Sequence, residues 1–424
     1  MLKSYLEFPR AVYLLCLGSF INRAGTFLLP FLTFYLVDEL GLSVSFATMA
    51  MGVYGAGSIA GALLGGHLAD RIGRRPVMLI SLLGGAVVLR FFGLLGNPAS
   101  ILPGVFVFTV MAEMYRPAAS AMIADLVGAQ RRTHAFGLMY VAINLGFAVG
   151  ALVGGWLATV WYTWLFWGDA LTAGLYALIL ILFIGETRPT QPSPADPSVP
   201  NPDTQLPRPP PVRVIRQVLA DRTFVVFCVA ALLCGLVYLQ GMSTFPLYLN
   251  SLGFGPDTYG RLISVNGWLI VLFQLPITSF ITRFHRGTVV ACAALILAFG
   301  FGAKAFSQTA WQFQAAVVIW TVSEMMQAPL MSAIVTDLAP AHLRARYLGV
   351  FSMVFSSANM LGAPLGGMML QRWGGRLLWL VTCCLALAAA GLFVLLRPRL
   401  GSRDEGPGSA HAARAAPEET PDPI

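Results

Sequence analysis

Twelve stretches of this 424-residue chain are each long and apolar enough to cross a bilayer as a helix, which takes about 20 residues. They run approximately over 11–37, 44–69, 77–96, 100–126, 134–160, 164–185, 222–250, 257–282, 287–308, 311–338, 346–371 and 376–397. Composition agrees: 57% of the residues are hydrophobic and 11% charged, where a soluble domain carries about 25% charged residues. The expected fold is therefore all-α and membrane-embedded. The first run is too long for a signal-peptide core and lacks a small-residue cleavage site, so it reads as a retained first helix.

The net charge of +8 would suggest nucleic acid on a soluble protein. Here the basic residues stand between apolar runs and report topology instead, so no nucleic-acid partner is expected. With the N-terminus placed in the cytoplasm, 20 of the 27 Lys and Arg fall on the cytoplasmic side. Arg261, Lys304, Arg372 and Arg376 fall at the other face, and Arg23, Arg90 and Arg116 fall within runs. Both termini are predicted cytoplasmic. The six cysteines all lie within apolar runs and read as small buried hydrophobes.

Between the sixth and seventh runs stands TRPTQPSPADPSVPNPDTQLPRPPPVR, too rich in proline to pack. It divides the chain into an N-terminal six-helix bundle (1–186), a flexible cytoplasmic linker (187–220), a C-terminal six-helix bundle (221–398) and a disordered tail (399–424). The two halves are also related to each other. At a constant offset of 212 positions, Gly41 meets Gly253, Gly55 meets Gly267, Pro117 meets Pro329 and Asp125 meets Asp337. Arg132 then meets Arg344, and Gly150, Gly154 and Gly155 meet Gly362, Gly366 and Gly367. This is a duplicated six-helix unit in parallel repeat, an arrangement found in secondary transporters.

The loop after the second run reads GGHLADRIGRRPVM, with Gly66, Asp70, Arg71, Gly73, Arg74 and Arg75 in a fixed spacing. That spacing resembles the loop signature of the major facilitator superfamily. Its carboxylate and guanidiniums can make charge-assisted contacts in one conformer and break them in another, as a cytoplasmic gate would. The counterpart in the second half, TRFHRG, keeps Arg283 and Arg286 but has Thr282 in place of the aspartate, so a symmetric second gate is not expected. The fifth run carries GFAVGALVGG, with Gly146, Gly150, Gly154 and Gly155. This is similar to a glycine signature of that superfamily's antiporter branch, with Ala151 where the signature has proline. Ordinary small-residue helix packing would also produce it. A fourth-helix arginine of the signature is replaced by Val105.

Charges inside the runs are the remaining signal, because each costs at least ~2.5–3.5 kcal/mol in hydrocarbon. Glu113 lies ~18 Å of helix from Asp125, and Arg116 follows it at i+3, within pairing reach. Glu324 lies at similar depth in the tenth run with Gln327 at i+3, and Asn22 and Arg23 interrupt the first run. The resemblance implies that helices 1, 4, 7 and 10 line a central cavity. That places Asn22, Arg23, Glu113, Arg116, Gln240, Glu324 and Gln327 there as proton-coupling or cavity residues, with Arg23 facing Glu113. Phe27, Tyr115, Trp320, Met325 and Met326 would add aromatic and sulfur surface. The plain alternative is a static salt bridge between helices. Arg90 fits no cavity helix and reads as structural.

No Gly-x-x-x-x-Gly-Lys-Ser/Thr loop, hydrolase triad or metal-ligand spacing is visible, so no cofactor, metal or catalytic role is expected. The resemblance implies a monomeric, multi-pass protein of a bacterial-type inner membrane whose partners are a small-molecule substrate, protons and the lipid bilayer. The expected activity is proton-coupled efflux of small amphipathic or drug-like molecules by alternating access. Two alternatives stay open: a uniporter or symporter for a sugar, peptide or organic anion, and a non-transporting receptor or lipid-handling protein.

Overall fold

The structure, a computed structural model, describes residues 8–127, 131–188, 218–340 and 343–400. Most of the expected linker and tail therefore lies outside the described residues, as does part of the loop before the fifth run. Every regular element among the described residues is helical. In the N-terminal half these are α1 (Arg10–Ala24), α2 (Leu28–Phe34), α3 (Val44–Ile72), α4 (Arg74–Phe92), α5 (Pro98–Glu113), α6 (Tyr115–Leu126), α7 (Arg132–Val160) and α8 (Thr163–Phe183). The C-terminal half has α9 (Arg222–Leu239), α10 (Thr244–Ser251), α11 (Pro256–Ile281), α12 (Arg286–Ala303), α13 (Ala310–Leu338) and α14 (Arg344–Leu396).

Eleven segments among the described residues are long and apolar enough to cross a membrane. The last covers 54 residues. At about 1.5 Å per residue that is more than twice the ~30 Å of a bilayer core. It is broken by Gly374, whose φ of 79° and ψ of 168° are not helical. The two final runs expected from the sequence, 346–371 and 376–397, lie on either side of this residue.

Polar side chains start several helices at the expected places. Ser43 accepts the N–H of Phe46 at 3.2 Å, Asp221 that of Phe224 at 3.1 Å, and Thr309 and Gln312 close a capping box. Three expected helices are interrupted: between α1 and α2, at Met114 between α5 and α6, and between α9 and α10. A proline follows each break within six residues. Pro30, Pro117 and Pro246 have no N–H to give the carbonyls of Thr26, Glu113 and Met242 four residues earlier. Proline permits such a break without forcing it, since Pro329, the repeat mate of Pro117, lies within unbroken α13.

The halves meet along two interfaces related by the repeat. In one, α3 packs on α14. Ser45 donates to the Gln371 side chain, a Cβ on Gly367 would sit 1.8 Å from the Thr48 hydroxyl oxygen, and one on Gly55 would sit 2.9 Å from the Met360 nitrogen. In the other, α7 packs on α11. A Cβ on Gly155 would sit 3.1 Å from the Gly260 Cα, and one on Gly267 would sit 2.8 Å from the Ala148 Cβ. Adding 212 to Thr48, Gly55, Ala148 and Gly155 gives Gly260, Gly267, Met360 and Gly367, so the two seals are the same seal twice.

These contacts lie toward the end carrying the loops after Glu39 and Ser251. A single apolar core runs there from half to half, from Phe31 and Phe34 of α2 onto Tyr259 of α11. At the opposite end the N-terminal half has a core of its own, from Phe8 and Val12 to Leu180 and Ile184, containing no residue of the other half. Among the described residues the halves are sealed at one end, and their apolar cores are separate at the other.

Candidate functional site

The charged residues of the first and fourth runs meet inside the N-terminal half, around a cavity of about 40 Å³ lined by Asn22, Arg23, Tyr54, Glu113, Arg116 and Asp169, among others. A cavity needs about 10–15 Å³ of such space to hold a water, so this one has room for water. Glu113 is the last residue of α5 and Arg116 stands on α6, so their ion pair, Oε2 to Nη1 at 3.0 Å, spans the break at Met114. The Tyr54 hydroxyl of α3 donates to the other oxygen of Glu113 at 3.2 Å. The Glu113 side chain is 9% exposed and that of Arg116 59%. A guanidinium at this depth cannot face hydrocarbon cheaply, so the pair links the buried interior to a wet surface.

Arg23 lines the same cavity within the N-terminal half, but it does not pair with Glu113, whose partner is Arg116. Its guanidinium lies 5.9 Å from the centroid of the Phe147 ring, and its buried Nε–H has no hydrogen-bond partner among the described residues. Asp169 of α8 is the residue missed in the sequence. It is 5% exposed, and its Oδ2 is buried with no hydrogen-bond partner among the described residues. The available signal was a lone carboxylate six residues into the sixth run, but the resemblance directed attention to helices 1, 4, 7 and 10.

In the C-terminal half the expected cavity residues do different jobs. Glu324 accepts the Asn266 amide of α11 at 2.8 Å, while Gln327 donates to Ser323 at 3.2 Å and not to Glu324. Gln240 is buried and ties the end of α9 to α14: its amide donates to the Leu236 carbonyl of α9 and to the Gly362 carbonyl of α14, at 2.9 and 2.8 Å. Trp320 is also turned away from a cleft. With Phe245, Phe301 and Trp379 it encloses the ammonium of Lys304, which is fully buried and has no hydrogen-bond partner among the described residues. Phe27 packs against Gly154 and Gly168. Arg90 stacks on Trp167 at 4.8 Å. Among the cysteines, Cys16, Cys228 and Cys234 are buried, but Cys383 is half-buried and Cys292 and Cys384 are exposed.

The loop motif is tied into the N-terminal half. Arg74 binds Asp125 at 3.1 Å and the Ala69 carbonyl at 2.9 Å, and Arg75 reaches the last carbonyls of α8, Leu180 and Ile181. Asp70 lies 3.5 Å from Arg74 and is 78% exposed, so it is free to take another partner. Arg71 receives the Arg188 guanidinium on its carbonyl. Gly73 has φ of 106°, and a Cβ there would sit 2.5 Å from the Glu186 carboxylate, which accepts the backbone N–H groups of Arg74 and Arg75. Gly66 faces Pro117 at ordinary contact distance. The second half is more symmetric than its sequence suggested: Arg286 binds Asp337, and this pair is the repeat mate of Arg74 with Asp125.

The glycines of the fifth run divide their work. Gly146 and Gly150 let α7 approach the backbone of α1 at Phe20, Arg23 and Ala24, and Gly154 packs on Phe31. Gly155 faces the other half at Gly260. Close helix packing accounts for the first three, and the seal between halves for the last.

The sequence model of the Major Facilitator Superfamily matches residues 15–256 and again 241–420. The chain belongs to this superfamily. It is a multi-pass membrane protein and a transporter by family. It is 30% identical to the uncharacterized MFS-type transporter YttB of Bacillus subtilis, over 94% of this chain and 98% of that one. It is 27% identical to a Na(+), Li(+), K(+)/H(+) antiporter of Planococcus maritimus, covering 82% and 86%. Identity to the multidrug resistance protein MdtH of Cronobacter sakazakii is 22%, covering 93% and 96%. Among solved structures, a POT family transporter in complex with a thioalcohol-conjugated peptide superposes with a TM-score of 0.75 at 15% identity, covering 92% and 97%. At that identity the likeness is one of fold.

Proposed function

We propose that this transporter exports small amphipathic or drug-like molecules in exchange for protons, by alternating access between two six-helix bundles of twelve crossings in all. The observation that carries the reading is the polar cavity of the N-terminal half. Two guanidiniums and two carboxylates line it within the membrane-spanning helices, and one ion pair reaches from the buried interior to an exposed surface. A static bridge would need one pair and no unpartnered atoms. Buried charge with unsatisfied atoms is expensive and is associated with proton relays and substrate pathways. The relatives named as a multidrug resistance protein and as a cation/proton antiporter support antiport and leave the cargo class to experiment.

The seal at one end and the division at the other fit one of two conformers that rock about the midplane. With the termini in the cytoplasm of an inner membrane, this conformer is open inward. The exposed Asp70 would then take its partner when the inner end closes. The chain acts as a monomer in this account, each bundle 1–186 and 221–398 moving as a unit with the 187–220 segment as its tether. The exposed Arg116 faces the cleft, where an amphipathic cation or neutral molecule meets it; Glu324 with Asn266 forms the polar counterpart on the other bundle.

Transport-deficient bacterial cells expressing the protein test this reading. They should accumulate less of at least one dye from a panel of lipophilic cations and neutral amphiphiles, and a protonophore should abolish the difference. Unchanged accumulation of every dye, with sodium or potassium extrusion instead, would replace drug export by cation exchange.

A further inference from the structure

The N-terminal cavity holds two acid–base pairs in unlike condition. Glu113 has both oxygens engaged, one by Arg116 and one by Tyr54. Asp169 and Arg23 each keep a buried polar atom with no partner among the described residues, Oδ2 and Nε, and both line the same cavity. An ionised carboxylate with a bare buried oxygen is the costly arrangement, because desolvation is not repaid by a partner. A carboxylic acid at that place is far cheaper, and so is a carboxylate that has taken a guanidinium.

We infer that Asp169 is the residue that carries the exchanged proton, with Arg23 as the counter-charge that receives its carboxylate when the proton leaves, while Glu113, Arg116 and Tyr54 are a fixed frame. The inference rests on the proton-coupled reading above. In the conformer described here Asp169 holds the proton on Oδ2. On release the O–H bond breaks, the proton passes to cavity water, and the carboxylate pairs with the Arg23 guanidinium. No other bond changes.

The geometry supplies the link to alternating access. Gly168, next to Asp169 in the chain, packs on Phe27, the residue that caps α2 beyond the break in the first crossing: a Cβ on Gly168 would sit 2.6 Å from the Phe27 ring. Phe31 and Phe34 of that same short helix pack on Tyr259 of the other half, at centroid distances of 5.7 and 5.9 Å. Parting the sealed end frees α2 from Tyr259, and the break before it lets α2 move relative to α1. Phe27 then leaves Gly168, and the neighbouring Asp169 carboxyl meets water from that side. Arg23 sits on α1, on the near side of the break, and stays in place. The charged and titratable groups that line the cavity with Asp169 are Arg23 of α1, Tyr54 of α3, and Glu113, Tyr115 and Arg116 of α5, α6 and the turn between them. On α4, Arg90 is occupied by the Trp167 ring.

Infrared difference spectra of the full-length protein in lipid, between acid and alkaline buffer, read carboxylic acids directly and need no substrate. One band of a buried carboxylic acid should titrate in the wild type, disappear in Asp169→Asn and persist in Glu113→Gln. Arg23→Gln should move its titration to higher pH and Arg23→Lys should move it less. The assignment is overturned if the band survives Asp169→Asn, or if no band titrates in any variant. Ethidium-loaded proteoliposomes supply the second arm. Wild type that moves no protons with ethidium or any other dye of the panel ends the proton-coupled reading, whatever the spectra show. Coupled wild type together with a coupled, correctly inserted Asp169→Asn ends the assignment alone. Asp169→Glu, which keeps the carboxyl, should restore coupling if Asp169→Asn folds poorly, and failure to do so also counts against it.

Discussion

Asn250 donates its side-chain amide to Asp38 across the sealed end at 2.5 Å, and the two residues stand 212 positions apart, which makes them mates in the repeat. The Tyr162 hydroxyl donates to the other Asp38 oxygen at 3.4 Å. A hydrogen bond to a charged group contributes about 1.5–3 kcal/mol. Asp38→Ala should therefore shift the conformer balance toward opening of this end by about an order of magnitude. Cysteines placed at Ser45 and Gln371 report it: their cross-linking rate should fall in Asp38→Ala and stay unchanged in a control with Gly174→Ala.

The seal itself requires small residues. A methyl on Gly260 would sit 2.4 Å from the Ala151 carbonyl oxygen. Gly260→Leu and Gly155→Leu should hold the sealed end apart, and turnover should fall by about tenfold or more, corresponding to at least ~1.4 kcal/mol on the closed conformer. Gly391→Ala, where nothing lies within 4 Å, should leave transport unchanged. Dye efflux at matched membrane expression measures this.

At the other end the two carboxylates of the motif should behave differently. Asp125 is bound to Arg74 in the conformer described, while Asp70 is largely exposed. Asp125→Asn should lower the melting temperature of the detergent-solubilised protein. Asp70→Asn should lower turnover and leave melting and insertion unchanged. Equal melting of the two variants would remove the distinction.

Glu186 links α8 to the start of α4. Burial pushes its carboxyl up, but the backbone N–H groups of Arg188, Arg74, Arg75 and Thr187 outweigh it and hold the group below its ordinary value of 4.5. The unfolded chain then binds the proton more tightly than the folded one. This contribution to stability is present above about pH 4.5 and is lost as the pH falls through the lower folded value. Thermal melts against pH should show that loss in the wild type, and a smaller one in Glu186→Gln.

The spans and the repeat were legible because hydrophobic runs and glycine spacing are local or constant in offset. The offset even locates the interfaces, since Gly55, Gly155, Gly267 and Gly367 all stand at the seals. The Glu113–Arg116 pair was legible from i+3 spacing alone. What the chain order could not show was which helix faces meet. Asp169 joins Arg23 in one cavity only because α8 packs beside α1, and Gln240 reaches the Gly362 carbonyl only because α9 packs beside α14. The pairing of Arg286 with Asp337 crosses from α12 to α13 and is visible only once those helices are side by side.

Proton exchange by the purified protein is the central claim, and a pH-sensitive dye sealed inside proteoliposomes measures it most directly. With vesicles acidified inside and no other ion gradient, adding an exported dye such as ethidium outside should alkalinise the lumen as the dye enters. The change should be absent from vesicles carrying an Asp169→Asn, Glu113→Gln double variant. Dye uptake with no change in luminal pH, in wild-type vesicles that hold their gradient, would contradict the account.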